Sequence, residues 1–442
     1  MKIIIIGANH AGIAAANTLL DSYPGHQIIM IDRNSNLSYL GCGTALWVGR
    51  QIDSWEKLFY TSRENFVRKG ADIRMETTVT HIDFAKKTVS CENKNGHTCE
   101  ESYDRLILAT GSLPVSPGLP GSDLDGILFL KLFQDGQKAD QRISDPAVND
   151  VAVIGAGYIG VEIAEAARRR GKSVRLFDVA PTCLAGYYDP EFTSGMEKLL
   201  RNEGIRLHFN EAVTAFRGGR QVEAVVTDQG EYPADLVISA IGFQPNTALG
   251  REHLDCFRNG AYRVDRRQRT SDPNVYAAGD CAAVYSNALQ AEAYIALATN
   301  AVRSGIVAAH NIGGTPLASA GVQGSSAISV FGYNMVSTGL SVSMARRNGM
   351  KVSCTDFEDL QRPGFMKRNA SVKIRIVYET DSRRIVGAQL ASSEDISMAI
   401  HMFSLAIQEN ITIDQLKLLD IFFLPHFNQP YNYITMAALG AK

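Results

Sequence analysis

Charge imbalance, long apolar runs and paired cysteines are all missing from this chain, and each absence removes a class of function. Its 442 residues carry 44 Lys and Arg against 46 Asp and Glu, a net charge of −2. The longest basic block is Arg168-Arg169-Arg170, far short of the positive excess that nucleic acid or an anionic membrane surface demands. No apolar run reaches the length that spans a bilayer. The apolar stretch from Met1 to Leu20 is interrupted by glycines, Asn9 and His10, which suits a strand, turn and helix better than a signal peptide. The seven cysteines are odd in number and show neither C-x-x-C nor Cys/His zinc spacing, which argues against a secreted disulfide scaffold and against a metal centre. The expectation is a soluble, cytoplasmic protein in a reducing compartment, with no nucleic-acid, membrane or metal partner.

What is abundant is glycine, 38 residues against two tryptophans, a composition suited to tight turns and to close approach of backbone to ligand. A chain of this length holds about two to four cores. Lys2 to Ile6 is a continuous β-branched run, as in a strand buried on both faces of a parallel sheet. It opens into Gly7-Ala-Asn9-His10-Ala-Gly12, an alanine-rich helix and a strand ending at Asp32. This is a dinucleotide fingerprint with an acidic ribose partner. Its middle glycine is replaced by Asn9, a residue that tolerates left-handed backbone.

The second fingerprint is unbroken. The strand Val151 to Ile154 leads into Gly155-Ala-Gly157-Tyr158-Ile159-Gly160, then a helix and a strand ending at Asp178. A carboxylate there accepts from a ribose 2′-hydroxyl and repels a 2′-phosphate, so NADH is expected over NADPH. Two such units imply two dinucleotides, and an enzyme holding two usually passes hydride between nicotinamide and flavin. Tyr103 to Leu108 reads as a strand ending in Ala109-Thr110-Gly111, and Ser112 to Gly121 as a linker. Leu236 to Ile241 is strand-like and runs into Gly242. A further strand from Asn274 ends at Gly279-Asp280, where Asp280 suits either a ribityl hydroxyl or a helix N-cap. Ala291 to His310 reads as one helix containing Ala298, its positive end available to a flavin. After residue 316 strand-like runs (327–331, 372–378, 385–390) mix with two amphipathic helices. The fold class is α/β: two Rossmann-like FAD- and NAD-binding units and a C-terminal α+β domain. The divisions are 1–115 and 247–316 for FAD, 116–246 for NAD, and 317–442 for the last domain.

One cysteine stands out. Cys42, in Ser38-Tyr-Leu-Gly-Cys42-Gly-Thr-Ala-Leu-Trp47, is expected at or just before a helix N-terminus, which favours thiolate. On the residues alone it is either a redox cysteine facing a cofactor or a small buried hydrophobe.

Together, GANHAG at 7–12, LGCG at 40–43, ATG at 109–111, GAGYIGVE at 155–162, AAGD at 277–280, IALATNA at 295–301, VQGSS at 322–326 and the C-terminal FFLPHFNQPYNYITMAALGAK resemble the pyridine nucleotide-disulfide oxidoreductases over the full length. The likeness is to their single-cysteine branch of NADH oxidases and NADH peroxidases, and most of all to the water-forming NADH oxidases. Disulfide-reducing relatives carry C-x4-C, whereas Trp47 stands five residues after Cys42. The resemblance therefore implies a thiolate/sulfenic acid cycle at Cys42, with His10 nearby as thiolate stabiliser or proton donor. NADH passes hydride to FAD, O2 accepts electrons from the flavin, and Cys42 reduces the resulting peroxide. Tyr158 either stacks over the flavin or packs its turn; Glu162 either meets the nicotinamide or caps its helix. His426 is expected at an interface or in a core, in a protein forming a homodimer or higher homo-oligomer. The rival readings are an NADH peroxidase, a coenzyme A disulfide reductase and a flavin redox sensor.

Overall fold

The computed structural model describes all 442 residues. Its first sheet is parallel, in the spatial order Val275–Ala277, Arg105–Leu108, Lys2–Ile6, Gln27–Ile31, Asp72–Arg74. Alternate residues of a strand face opposite sides, and both sides here are apolar. Ile3, Ile5 and Met30 pack under the helices His10–Ser22 and Ala298–Ile312. Ile4, Ile6 and Leu106 pack against Val79, Ile82 and Val89 of an antiparallel three-stranded sheet, Thr77–Asp83, Thr88–Asn93 and Thr98–Ser102.

The second parallel sheet repeats the plan with Ile205–Phe209, Ser173–Asp178, Asp150–Ile154, Leu236–Ser239 and Ile127–Phe129. The chain passes between the two sheets twice. Ser112–Pro114 and Phe243–Pro245 pair antiparallel at those crossings, so part of the expected linker is a two-stranded ribbon; its prolines fit because each strand has only one partner.

The C-terminal third is an antiparallel sheet of Ser326–Val330, Tyr333–Gly339, Ile385–Ser392, Ser371–Glu379 and Val352–Leu360. It carries four helices where two were expected: Val342–Arg347, Ser397–Gln408, Ile413–Leu416 and Tyr433–Leu439. Three of them are seven residues or shorter, too brief for periodicity to register.

The expected helix from Ala291 is also shorter. Ala291–Ala293 is a strand paired with Val284–Ser286, and the helix begins at Ala298. Sheet pairing overrides alanine's helix propensity there.

Candidate active site

The two glycine loops are built alike. Gly7 has φ 114°, and a Cβ there would lie 2.1 Å from the Ala109 carbonyl oxygen; at Gly12 it would lie 1.8 Å from that of Gly7. In the second loop Gly155 has φ 96°, and a Cβ on Gly160 would lie 1.7 Å from the Gly155 oxygen. These positions admit only glycine. The middle positions differ: around Gly157 no heavy atom lies within 4 Å of a built Cβ, which leaves a clear cradle for a pyrophosphate. Asn9 lies in ordinary extended backbone, φ −117°. The left-handed conformation that the Asn substitution suggested is absent, because the helix begins one residue later and Asn9 is its N-cap. Neither helix start has a side-chain cap, so the first-turn N–H groups remain available to an anion.

The two carboxylates are equally matched. Asp32 accepts from the Ala8 N–H at 2.7 Å and the Asn34 N–H at 2.8 Å; Asp178 accepts from the Ala156 N–H at 2.6 Å and the Ala180 N–H at 2.8 Å. Each is anchored to its own loop and keeps lone pairs for a ribose hydroxyl. Burial raises the Asp32 carboxyl, with the Asn34 and Ala8 N–H groups pulling the other way.

Gly7, Asn9, His10, Asp32, Thr110, Gly111 and Asp280 line a single cleft. Thr110 donates to the Asn246 carbonyl at 2.6 Å, fastening one crossing chain to the other. Asp280 lies in a single turn, Gly279–Cys281, and caps no long helix. It accepts instead from Ser112 Oγ at 2.8 Å and Lys131 Nζ at 3.1 Å. No sequence motif marks Lys131, because it reaches the cleft from the connection that follows Ile127–Phe129 in the second sheet. Ala298 is exposed, and Ala301, one turn further, lines the cleft. Gly242, φ 112°, lies outside that cleft and opens the Phe243–Pro245 strand.

His10 is the first residue of its helix. Its Nδ1 is hydrogen-bonded to Tyr60 Oη at 3.1 Å, and the rings stack at 5.7 Å and 6°. Burial lowers its pKa, Asp280 opposes this and Lys131 adds to it, so the imidazole rests neutral. Cys42 is exposed, within the turn Gly41–Gly43 that precedes the helix Thr44–Val48. Burial of its surroundings and then the Glu162 charge push the thiol above its ordinary value, while the Cys42 and Gly43 N–H groups pull it down. The pull expected from a helix end is present but outweighed: the helix has five residues, and burial first and then the facing carboxylate act against it. That short helix leans on the helix Tyr158–Arg169 of the second sheet, where Arg170 donates to the Val48 carbonyl at 3.0 Å. Cys42 thus sits between the two dinucleotide units.

Residues 1–305 match the model of the pyridine nucleotide-disulphide oxidoreductases, and residues 325–432 match that family's dimerisation domain. The chain belongs to this family. A curated NADH oxidase of Lactococcus lactis subsp. cremoris is 61% identical over 446 residues, covering 100% of both chains. A water-forming NADH oxidase from Lactobacillus brevis, solved with NADH, superposes at TM-score 0.96 with 36% identity, covering 99% of this chain and 97% of that one. An engineered water-forming NADPH oxidase derived from it, solved with NADPH, has the same TM-score and identity and covers 98% of its own length; its replacements include an aspartate to alanine and an adjacent alanine to arginine.

As a member of this family the chain combines the two dinucleotide folds with a dimerisation domain. In the second unit, Tyr158 is anchored by hydrogen bonds to Tyr188 Oη at 3.0 Å and Ser326 Oγ at 2.7 Å and meets Tyr187 at 4.4 Å, so in this state it packs its turn. Ile159 packs beside it on the core. Glu162 makes no capping bond to its helix; burial, followed by repulsion from Glu165, raises its carboxyl to about 7. In the dimerisation domain, His426 is exposed. Phe422, Phe423, Phe427 and Tyr431 are exposed beside it, which removes the core reading. No helix is long and apolar enough to cross a membrane.

Proposed function

We propose that this protein is an FAD-dependent NADH oxidase that reduces O2 to water at the expense of two NADH, with Cys42 as the peroxide-reducing group. The identity to a curated NADH oxidase over the whole of both chains carries the reading, and the cleft supports it. The free N–H groups after Asn9, the anchored Asp32, the open space above Gly111 and the Ser112–Lys131–Asp280 cluster suit the pyrophosphate, ribose and ribityl parts of FAD. Bound there, FAD supplies two-electron transfer between nicotinamide and oxygen. Gly155, Gly157, Gly160 and Asp178 hold NADH.

The chain's own chemistry begins at Cys42. Its Sγ attacks one oxygen of hydrogen peroxide; an S–O bond forms, the O–O bond breaks, and the departing hydroxide takes a proton to become water. Neutral His10 holds an N–H that can steady the departing oxygen, and Tyr60 fixes its ring. The resulting sulfenic acid is returned to thiolate by two further electrons, with release of the second water.

We place the FAD, NAD and C-terminal divisions at residues 115, 246 and 316, and the protein in the cytoplasm, where thiols stay reduced. It assembles as a homodimer at least, through the exposed aromatic stretch from Phe422 to Tyr431, since solvent-facing aromatics of this kind mark interfaces.

The test is Cys42→Ser. Wild type consumes NADH and O2 at about two to one; the variant, lacking a thiolate, consumes them at about one to one and accumulates hydrogen peroxide. Water formation without peroxide by the variant would remove Cys42 from the reaction. Wild-type protein that turns over NADH only with added peroxide would be a peroxidase.

A further inference from the structure

Outside the cleft, two cysteines face each other across a hairpin. Cys91 on Thr88–Asn93 is the direct antiparallel partner of Cys99 on Thr98–Ser102. The Asn93 N–H donates to the His97 carbonyl at 3.0 Å, and the Tyr103 N–H to that of Lys87 at 2.9 Å. These bonds mark hydrogen-bonded pairs, and such pairs recur every second residue, so Cys91 and Cys99 form another. The Cα atoms of a pair of this kind lie about 5.5 Å apart, at the commonest separation for a disulfide.

The surroundings give the two sulfurs different roles. Cys99 is exposed on an edge strand, and Arg74 Nη1 lies 4.0 Å from its Sγ. That guanidinium is held in place by Asp72 and Glu101, each at 2.8 Å. Cys91 is 1% exposed; burial, then the neighbouring Cys99, pushes its thiol up to about 12. The accessible sulfur beside a cation reacts first, and the buried one resolves it.

We propose that Cys91 and Cys99 are a second peroxide-reactive site, independent of Cys42, that closes to a cross-strand disulfide. Cys99 sulfur attacks hydrogen peroxide, forming an S–O bond as the O–O bond breaks and hydroxide leaves to become water. Cys91 sulfur then attacks the Cys99 sulfenic sulfur; the S–S bond forms, and the departing hydroxide takes the Cys91 proton. Two thiols lose two electrons and one peroxide becomes two waters. An external dithiol reverses the change.

Trypsin offers a direct assay, since cleavage after Lys87, Lys94 and Arg105 places the two cysteines on separate peptides, 88–94 and 95–105. FAD-loaded Cys42→Ser protein is treated with a molar excess of hydrogen peroxide without oxygen or NADH, alkylated and digested. The expected result is one linked peptide pair, two hydrogens lighter than its parts, and a loss of two free thiols per chain. Dithiothreitol restores both, and adding Cys99→Ala abolishes the linkage. With Cys91→Ala, a dimedone adduct accumulates on Cys99. Recovery of both peptides reduced, or of Cys99 as sulfinic acid or joined to another cysteine, overturns the proposal. The Cys42→Ser background separates this outcome from the Cys42 reading, which its stoichiometry tests alone.

Discussion

Replacing Glu162 with glutamine isolates one carboxylate that acts on both the fold and Cys42. Burial, and secondarily Glu165, raises the Glu162 carboxyl from 4.5 to about 7. Below pH 4.5 it is protonated in the folded and unfolded chain alike and contributes nothing. Between pH 4.5 and 7 the unfolded chain has released the proton and the folded chain still binds it, so stability falls as pH rises, and above 7 the loss is complete. A pKa difference of one is worth about 1.4 kcal/mol, so the ionised side chain costs the fold up to about 3 kcal/mol at pH 8. Glu162→Gln removes that cost while keeping the shape. Its melting temperature should exceed that of wild type at pH 8, and the two should converge at pH 4.5. The same substitution removes a negative charge facing the thiol, so the pH profile of iodoacetamide alkylation at Cys42 should move to lower pH. A melting difference that is the same at both pH values, or an unmoved alkylation profile, would refute the reasoning.

Other consequences are open to measurement. Asp178→Ala combined with Val179→Arg should turn the kcat/KM preference from NADH toward NADPH, as the replacements in the engineered L. brevis enzyme suggest; equal use of both by wild type would refute the role given to Asp178. Gly157→Val has open space for its side chain and should raise the KM for NADH with little change in melting temperature, whereas Gly160→Ala, 1.7 Å from the Gly155 oxygen, should fail to fold stably. Lys131→Met deprives Asp280 of its cation and should weaken FAD retention about tenfold or more, read by flavin fluorescence on dilution. Phe423→Glu with Phe427→Glu should reduce the light-scattering mass toward the monomer; an unchanged mass would place the interface elsewhere.

The strands Lys2–Ile6 and Asp150–Ile154 were legible because each carries an apolar run closed by a glycine loop, a pattern that depends on few residues close in sequence. Asp32 and Asp178 were legible for the same reason. The roles of Lys131, Ser112 and Tyr60 were not: each depends on a partner far away in the chain, Asp280 for Lys131 and Ser112 and His10 for Tyr60, and no local spacing records that Lys131 meets Asp280 across 149 residues. The Cys42 turn was legible as the start of a helix, whereas the upward push on its thiol, from burial first and then from Glu162, was not, because Glu162 arrives from the other dinucleotide unit. The extra short helices and the Ala291–Ala293 strand were missed where tertiary pairing overrode weak local preference. Family membership and the NADH oxidase reading rested on the set of motifs together, and the curated relatives agree with it.

The absence of a second cysteine near Cys42 has a structural counterpart that bears on the chemistry. At the place of the missing thiol, Trp47 is 6% exposed and stacks on Phe133 at 5.9 Å, in an apolar cluster with Tyr39 and Leu58. An indole there cannot resolve a sulfenic acid. The cysteine that follows in sequence, Cys91, is buried in the antiparallel three-stranded sheet, opposite Cys99. In the proposed cycle a sulfenic acid at Cys42 therefore lacks a resolving cysteine five residues on, which favours its direct two-electron reduction. The position of the turn fits that proposed route. Cys42 belongs by sequence to the first dinucleotide unit and leans, through the helix that follows it, on the second, so the group that the proposed cycle re-reduces lies between the two dinucleotide units.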